Sequence, residues 1–398
     1  MAIIHPFKAW RPKESKAEEV ASVPYDVINT EEARQLAQGK PHSFLHVIRP
    51  EIDLPVNTDL YDEAVYRKGR ENLDHLIDNG ILEQEEVASL YVYRLEMPNG
   101  QQQTGLFTCV AVSDYDSNVI LKHELTRPEK EKDRIKHIKT QEAHAEPVML
   151  TFKDSQGIAR EMNETIQWQR PLYDFEASDG VRHVIWKLHE TDGLVDAFSK
   201  IEHLYVADGH HRCKSASEVA KHFGTARPEV NYFPAVLFPM DEMRILAYNR
   251  VVYEIPKDFL TQLRTSFELK EDASPVPKHR GSVSVYLDGT WYGIKFPPPG
   301  NKSTAEKLDV AQLQDNILEP LLGIHDQRKD KNLDFVGGIR GTDHLEQLVD
   351  SGKAAAAISM YPTSVEELVA VSDAGELMPP KSTWFEPKLR SGLLVHRF

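Results

Sequence analysis

The sequence predicts an α+β fold, because β-rich segments and segments with helical spacing alternate along the chain without an internal repeat. β-rich runs at residues 90–95 and 104–112 flank an Asn-Gly dipeptide, which is a strong hairpin signal between such runs. Farther along, the apolar residues 204–207 predict a short buried strand. Residues 213–223 then carry apolar side chains at three- and four-residue spacing, which predicts a helix that Gly224 ends.

Three regions follow from the order of these elements. Residues 1–115 form an N-terminal α+β region, with a charged amphipathic helix predicted within residues 60–80. Residues 116–255 form the predicted mixed α/β core, which contains two segments with distinctive chemistry. The pattern changes at about residue 256, and residues 256–398 form a large C-terminal α+β region.

The composition limits the classes of protein to which the chain can belong. Its 398 residues are enough for two or three domains, and 40% hydrophobic with 27% charged residues is typical of a soluble globular protein. The net charge of −15 argues against sequence-independent nucleic-acid binding, which needs a basic surface. We expect no membrane span and no signal peptide, since apolar runs are short and charges come early. Two cysteines cannot form a disulfide framework, so we predict a cytoplasmic protein.

The first distinctive segment follows the predicted strand at residues 204–207. Asp208-Gly209 favours a tight turn, because glycine adopts positive φ at little cost. His210, His211 and Arg212 would then lie at a helix N-terminus, whose unpaired N–H groups attract anions. We interpret this segment as a phosphate-binding corner. The alternative is an ordinary turn followed by surface histidines.

The second distinctive segment precedes and begins a predicted helix. Thr126 with Glu129 three residues later predicts a capping box, and Pro128 suits the first turn. Basic side chains then share one helical face, which is either solvated or meets phosphate: Arg127, Lys130, Arg134 and His137. Just before them, the Glu124 carboxylate could stay ionised beside these cations and act as a general base.

Other polar residues interrupt apolar or proline-rich segments. Lys381, Ser382 and Thr383 lie between prolines and a tryptophan, and they either contact an anion or belong to an ordinary tail. Asn249-Arg250 interrupts an apolar run and either faces a site or caps a sheet edge. Gly337-Gly338 is a weak phosphate-loop signal that we attribute to close backbone packing. Arg11, Tyr25 and Asp26 either line a cleft or belong to a packed N-terminal cap, which we favour.

Five short segments together resemble the domain of unknown function 1015 family over nearly the whole chain. They are His-Pro-Phe-Lys-Ala at 5–9, Val-Pro-Tyr-Asp-Val at 23–27, His-Glu-Leu-Thr-Arg at 123–127, Ala-Asp-Gly-His-His-Arg at 207–212 and Met-Pro-Pro-Lys-Ser-Thr-Trp-Phe at 378–385. The core of that family is similar to the ParB/sulfiredoxin-like superfamily, whose members bind nucleotides. Free-serine kinases of that superfamily place a His-Glu segment upstream of an Asp-Gly-His-His-Arg phosphate motif.

The resemblance implies roles for residues of both distinctive segments. Glu124 is similar to the base that deprotonates the acceptor hydroxyl, and His211 and Asp208 would also be catalytic. ATP or ADP would bind with Mg²⁺, for which Asp208 is the candidate ligand. The implied nucleotide-binding residues are Gly209, His210, Arg212, Thr126, Arg127, Lys130, Arg134, Lys381, Ser382 and Thr383. Relative to the compact kinases, residues 146–200 are an insertion, and their serine-pocket aromatic residue has no assigned counterpart here.

The leading functional hypothesis is a nucleotide-dependent phosphotransferase acting on a small hydroxylated metabolite, with free L-serine as the first candidate. A metal-dependent phosphomonoesterase acting on phosphoserine or a similar small phosphate is the second hypothesis. A non-catalytic nucleotide-binding regulatory module is the third. The phosphate donor, the acceptor, the metal and the oligomeric state stay open at this point, with a homodimer as one option.

Overall fold

The computed structural model of the protein describes residues 1–224 and 226–398, and the chain in it divides into two units. Unit 1 comprises Met1–Lys122, Thr126–Met243 and Pro387–Phe398, and unit 2 comprises His123–Leu125 and Arg244–Glu386. Each unit combines β-sheet with helices, which confirms the α+β class. The three-region division of the sequence stays a prediction. Among the described helices, none has the length and apolar character that a membrane span requires.

Unit 1 is built on a nine-stranded mixed sheet. Eight strands lie in the order Ile120–Leu121, Leu204–Asp208, Val148–Phe152, Tyr232–Pro239, Gln102–Ala111, Tyr91–Glu96, Arg182–Lys187 and Tyr173–Glu176, and Ile4–His5 also pairs with Gln102–Ala111. Two neighbouring pairs are parallel, and the others are antiparallel. The interior strand Val148–Phe152 is buried along its whole length, as its mainly apolar sequence predicts, and the hydroxyl of its one polar residue, Thr151, donates to the Phe238 carbonyl oxygen over 2.9 Å.

Helices and two small strand pairs complete unit 1. The predicted hairpin is confirmed, since Tyr91–Glu96 pairs antiparallel with Gln102–Ala111. The predicted helix within residues 60–80 is also confirmed as Glu63–Asp78, which the Asp62 side chain caps at the Ala64 N–H. The small pairs join Trp10–Pro12 to Leu82–Gln84 and Ala143–His144 to His396–Arg397. The α-helices of unit 1 are Ala17–Val20, Thr30–Ala37, Leu45–Ile48, Glu63–Asp78, Val112–Asp116, Pro128–Gln141, Ile158–Ile166, Asp192–Phe198 and His210–Phe223.

Unit 2 is built on a six-stranded antiparallel sheet. Its strands lie in the order Leu269–Lys270, Thr290–Lys295, Ser282–Leu287, Ala356–Met360, Tyr248–Val252 and Leu333–Gly337. A separate pair joins Ile245–Leu246 to Trp384–Phe385. The helices are Phe259–Ser266, Asp309–Leu313, the π-helix Gln314–Leu318, Glu319–Leu322, Gly341–Asp350 and Val365–Asp373.

Two polar or glycine-rich interruptions of the sequence find their explanation in unit 2. Asn249 and Arg250 are buried in a strand that has neighbours on both sides, so the sheet-edge interpretation is wrong. The close-packing interpretation of the glycine pair is confirmed. A Cβ atom at Gly337 would lie 2.7 Å from the Trp384 indole, and one at Gly338 would lie 2.6 Å from the Ala247 carbonyl oxygen.

Candidate functional site

The predicted strand, turn and helix around residue 209 are confirmed within unit 1. The strand Leu204–Asp208 ends at Gly209, and the helix His210–Phe223 begins at the next residue. Gly209 has φ +103°, a conformation that side-chain-bearing residues rarely adopt, and a Cβ there would lie 3.0 Å from Val148 Cγ1. Glycine is therefore required at this turn, and the helix presents its N-terminal N–H groups at the end of the strand.

The Arg212 side chain is the centre of the candidate site. It is buried, and its Nη2 lies 3.0 Å from Asp208 Oδ2 and 4.0 Å from Asp26 Oδ2. Its Nη1 donates a hydrogen bond to the Pro147 carbonyl oxygen. Burial alone would lower the pKa of Arg212, but the carboxylates of Asp208 and Asp26 hold it above the ordinary value. Arg212 is therefore a fixed positive charge.

A second buried arginine lies in the same network. Arg134 Nη2 lies 2.8 Å from Asp133 Oδ2, and Arg134 Nη1 lies 3.8 Å from Glu146 Oε2. The guanidinium also stacks over the Tyr25 ring, 4.0 Å from its centroid. Glu146 in turn accepts hydrogen bonds of 3.1 Å from the Tyr25 N–H and the Ser391 hydroxyl. Arg134 was predicted on a solvated or phosphate-facing stripe, but it is buried because these groups cover it.

Burial raises the pKa of Glu146 even though Arg212 and Arg134 act to lower it. A cavity of about 30 Å³ borders Arg134, Glu146 and Arg212, which is room for water but not for a nucleotide. A phosphate group would therefore have to approach from the solvent side, where the Asp26 and Asp208 side chains are 38% and 29% exposed.

Three residues of this network were missed as site residues by sequence reasoning. Asp26 was assigned to a packed cap, whereas it is exposed and its carboxylate lies by Arg212. Glu146 had no assigned role. Lys388 lies outside both distinctive segments, and its Nζ is 3.9 Å from Asp208 Oδ2. The signal for Asp26 was present in the Val-Pro-Tyr-Asp-Val segment, but its partner 186 residues away could not be read from spacing.

The helix Pro128–Gln141 does not begin as predicted. Its N-cap residue is Arg127, because a proline at the first helical position makes the preceding residue the cap. The capping box of Thr126 with Glu129 is therefore wrong, and the Thr126 hydroxyl instead donates to the Glu131 carboxylate. The Arg127 backbone N–H donates to His211 Nε2 over 3.0 Å. The two distinctive segments thus meet at this hydrogen bond.

The predicted basic stripe on this helix is divided by burial. The Arg127 side chain is exposed, with its Nε 4.0 Å from Glu129 Oε1. Lys130 is half-buried, and desolvation lowers its pKa. His137 is buried, and desolvation together with Arg134 keeps its pKa well below the ordinary value. Two of the four basic residues join this network by their side chains. Arg134 does so through Asp133 and Glu146, and the Nε2 atom of His137 lies 3.8 Å from Asp133 Oδ1.

The other predicted site residues belong to unit 2. Glu124 lines a cavity of about 500 Å³ within that unit. Lys381 has φ +58°, and its Nζ lies 5.4 Å from the centroid of the Tyr248 ring. Ser382 is buried, and its hydroxyl donates to the Pro379 carbonyl oxygen over 2.6 Å. Thr383 is half-buried. Their proposed contacts with a nucleotide stay predictions.

Asp208 was the predicted Mg²⁺ ligand. Across residues 1–224 and 226–398, no group of three or more His, Cys, Asp or Glu side chains is placed to hold a metal ion. Mg²⁺ in phosphoryl-transfer sites commonly uses one or two carboxylates together with phosphate oxygens and water. Asp208 and Asp26, which both approach the same Arg212 nitrogen, fit such a site only with a phosphate ligand present.

Several solved structures are similar to this chain at low identity. A conserved hypothetical protein from Pyrococcus furiosus is 12% identical with a TM-score of 0.38, covering 72% of this chain and 95% of its own. C-terminally truncated SbnI from Staphylococcus aureus is 14% identical with a TM-score of 0.40, and the match covers 73% of this chain and 86% of SbnI. A free serine kinase in complex with AMP is 11% identical with a TM-score of 0.40, and the match covers 72% of this chain and 92% of the kinase chain.

No curated protein matches the sequence. A family model does match, over residues 4–311, and its description is protein of unknown function, DUF1015. Because this match spans well over half of the 398 residues, the chain belongs to the DUF1015 family.

Proposed function

We propose that this protein is a nucleotide-dependent phosphotransferase with a ParB/sulfiredoxin-like core, and that it phosphorylates a small hydroxylated metabolite. Free L-serine is the first acceptor to test. The observation that carries the proposal is the buried Arg212 guanidinium, fixed between Asp208 and Asp26 where the helix His210–Phe223 begins. Phosphoryl transfer depends mainly on positioning and on neutralising phosphate charge, and this corner supplies means for both.

The proposed donor site uses groups of unit 1. The first N–H groups of the helix His210–Phe223 and the Lys388 ammonium group would bind the phosphates of ATP or ADP. Asp208 and Asp26 would hold Mg²⁺ together with phosphate oxygens. Arg212 keeps both carboxylates in place and offsets their charge. His211 accepts a hydrogen bond at Nε2, so its proton is on Nδ1 and the ring is neutral.

The proposed base is Glu124, by its resemblance to the His-Glu segment of the free-serine kinases. It would remove the proton of the acceptor hydroxyl as the phosphoryl group arrives. A positioned general base typically contributes a factor of about 100 to 10,000 to the rate. The role thus predicts a large loss of rate without loss of the fold when the carboxylate becomes an amide.

The direct test is phosphoserine formation by the full chain with L-serine and Mg²⁺-ATP or Mg²⁺-ADP, followed by ³¹P NMR. We expect turnover by the wild type, a loss of at least about 100-fold for Glu124→Gln, and unchanged turnover for Glu190→Gln at an exposed position. No phosphoserine with either nucleotide would contradict the proposal. Release of phosphate from phosphoserine without nucleotide would indicate the phosphomonoesterase, and nucleotide binding without turnover would indicate the regulatory module.

A further inference from the structure

Unit 2 contains a cavity that is lined partly by apolar and partly by polar side chains. Its volume is about 500 Å³, within the range of small-molecule sites. Glu124 lies on its lining, and apolar surface comes from Ala305, Ala311, Leu377 and Met378. Gln314 and Gln327 belong to the polar part of the same lining, which also includes Glu306, His325, Asp326 and Arg328. The cavity could therefore enclose a short carbon chain with a polar group at one end.

The orientation of the two glutamine amides follows from their partners. Gln327 accepts from Arg250 Nη2 over 3.4 Å, and since arginine only donates, the Gln327 oxygen must point to it. Gln314 Nε2 donates over 2.7 Å to the Ile324 carbonyl oxygen, and Gln327 Nε2 donates over 2.9 Å to Gln314 Oε1. Each amide nitrogen has a second hydrogen. The two side chains therefore keep two N–H donors for an acceptor on a ligand.

Arg250 is not part of the cavity lining, but its positive charge lies next to the lining residues Gln327 and Pro380. Its side chain is 0% exposed, and its Nη2 also lies 3.5 Å from the Pro380 carbonyl oxygen, beside the cavity. Within the described residues it has no carboxylate partner, and its buried Nε has no hydrogen-bond partner. Desolvation lowers the pKa of Arg250 to about 10, so it remains charged at neutral pH. A buried, uncompensated cation is costly, and an anion nearby would reduce that cost.

We propose that this cavity binds the carboxylate group of a small hydroxy or amino acid. The carboxylate oxygens accept hydrogen bonds from the Gln314 and Gln327 amide nitrogens, and Arg250 compensates the charge without touching the ligand. The carbon chain lies against the apolar wall. This inference rests on the proposed function in one respect, namely that the bound acid would be the phosphoryl acceptor whose hydroxyl meets Glu124.

The test is calorimetric binding to the full chain without nucleotide. The probes are L-serine, glycerate, ethanolamine, which is serine without its carboxylate, and inorganic phosphate. We expect L-serine and glycerate to bind at least tenfold more tightly than ethanolamine and phosphate. Equal or tighter binding of ethanolamine or phosphate would overturn the inference, as would no binding of either acid.

Two variants test the wall itself. Gln327→Glu removes the N–H donor of Gln327, leaves that of Gln314 and neutralises Arg250, so L-serine should bind at least tenfold more weakly while the melting temperature is unchanged or higher. Arg250→Met should weaken L-serine binding by a similar factor. Gln347→Glu makes the same charge change at an exposed position of unit 2 and should bind L-serine like the wild type. If both cavity variants bind like Gln347→Glu, the inference is wrong.

The outcomes separate this inference from the kinase proposal. Carboxylate-selective binding in a protein that forms no phosphorylated product would support the inference and contradict the kinase. Phosphorylation of ethanolamine as efficiently as L-serine would support the kinase and overturn the inference.

Discussion

At the scale of single residues, Arg212 both stabilises the fold of unit 1 and shapes the candidate phosphate site. Its bonds to Asp208, Asp26 and the Pro147 carbonyl hold three separate parts of the chain together. Hydrogen bonds to the Pro147 carbonyl and to Asp208 fix the guanidinium, so Arg212 would act on a bound phosphate through its charge and through the placement of the carboxylates. Buried pairs of this kind are strongly destabilising when one partner is removed, by about 3–5 kcal/mol. Variants at the exposed carboxylates are therefore the cleaner tests of function.

Asp26→Asn should impair the use of Mg²⁺ without unfolding the protein. The substitution keeps the size of the side chain but removes the charge that a divalent cation needs. We expect Mg²⁺-ATP to bind at least tenfold more weakly, whereas metal-free ATP binds no more weakly than to the wild type. Calorimetric titration with and without Mg²⁺ measures both. Asp78→Asn, at an exposed helix end, should leave both affinities unchanged; a normal Mg²⁺ dependence in Asp26→Asn would remove Asp26 from the site.

The local half of the candidate site could be predicted from sequence, and the distant half could not. Asp208, Gly209 and Arg212 lie within five residues, so a turn and a helix start suffice to place them together. Asp26 and Glu146 reach Arg212 and Arg134 only because the sheet and the helix Pro128–Gln141 pack as they do. Periodicity reports which face a residue shares with its neighbours, but not what covers that face.

At the scale of elements, the Asp309 carboxylate places an acid at the buried start of the helix Asp309–Leu313. Both of its oxygens lie 2.9 Å from the Gly281 nitrogen. Burial nevertheless raises the pKa of Asp309 to about 6. The folded protein therefore holds a proton that the unfolded chain releases at about pH 4. The contribution of Asp309 to stability is most favourable below that pH and falls as the pH rises to about 6.

Asp309→Asn should remove this dependence on pH. Relative to the wild type, the variant should gain stability between about pH 4 and 6 and then keep a constant advantage of at most about 3 kcal/mol. Urea unfolding from pH 4 to 7 measures the difference. Asp343→Asn, at an exposed position, should differ from the wild type by a constant amount over the same range. A constant difference for Asp309→Asn as well would contradict the shifted pKa.

Element boundaries were predictable where backbone chemistry decides them. The hairpin and the helix Glu63–Asp78 follow from an Asn-Gly turn and from helical spacing. The strand Leu333–Gly337 ends in the pair Gly337-Gly338, which the sequence attributes to close packing without showing what these glycines pack against. The Trp384 indole accounts for Gly337 and the Ala247 carbonyl oxygen accounts for Gly338, since each occupies the space that a side chain there would need. Sequence alone does not show which distant ring a glycine accommodates.

At the scale of the whole molecule, the chain leaves unit 1 at Met243 and returns to it at Pro387. The returning segment Pro387–Phe398 is well anchored. Trp10 and Val395 exchange backbone hydrogen bonds of 2.9 and 2.8 Å, and Ser22 and Ser391 exchange bonds of 3.1 and 2.9 Å. Leu393, Leu394 and Val395 are at most 1% exposed. The segment is therefore part of the core of unit 1.

Deleting residues 387–398 should destabilise unit 1 severely. Four buried aliphatic side chains are lost, those of Leu389, Leu393, Leu394 and Val395, and each such loss typically costs about 2–5 kcal/mol. We expect amide hydrogens of the strand Gln102–Ala111 to exchange at least 100-fold faster, as measured by mass spectrometry. The control Arg397→Ala removes only a partly exposed ion pair with Asp74 and should change exchange little. Wild-type protection in the deletion variant would show that unit 1 is complete without the segment.

The α+β class could be predicted from the sequence, whereas the order of the strands in the sheets could not. Val148–Phe152 lies between Leu204–Asp208 and Tyr232–Pro239, so sheet neighbours come from positions more than 50 residues apart. The return of the chain to unit 1 is a contact over more than 350 residues, between Trp10 and Val395. Apolar patterns predict that such a segment is buried, but they do not predict in which of the two units it is buried.

The interrupted path of unit 1 has a consequence for biosynthesis. A ribosome delivers the chain from its N-terminus at about 5–20 residues per second, and N-terminal domains generally fold first. Here the first-made unit must wait for a segment that emerges only after all of unit 2. During that interval, roughly 8 to 30 seconds at those rates, the apolar surface that Leu393, Leu394 and Val395 cover in the folded unit is open to chaperones or aggregation partners.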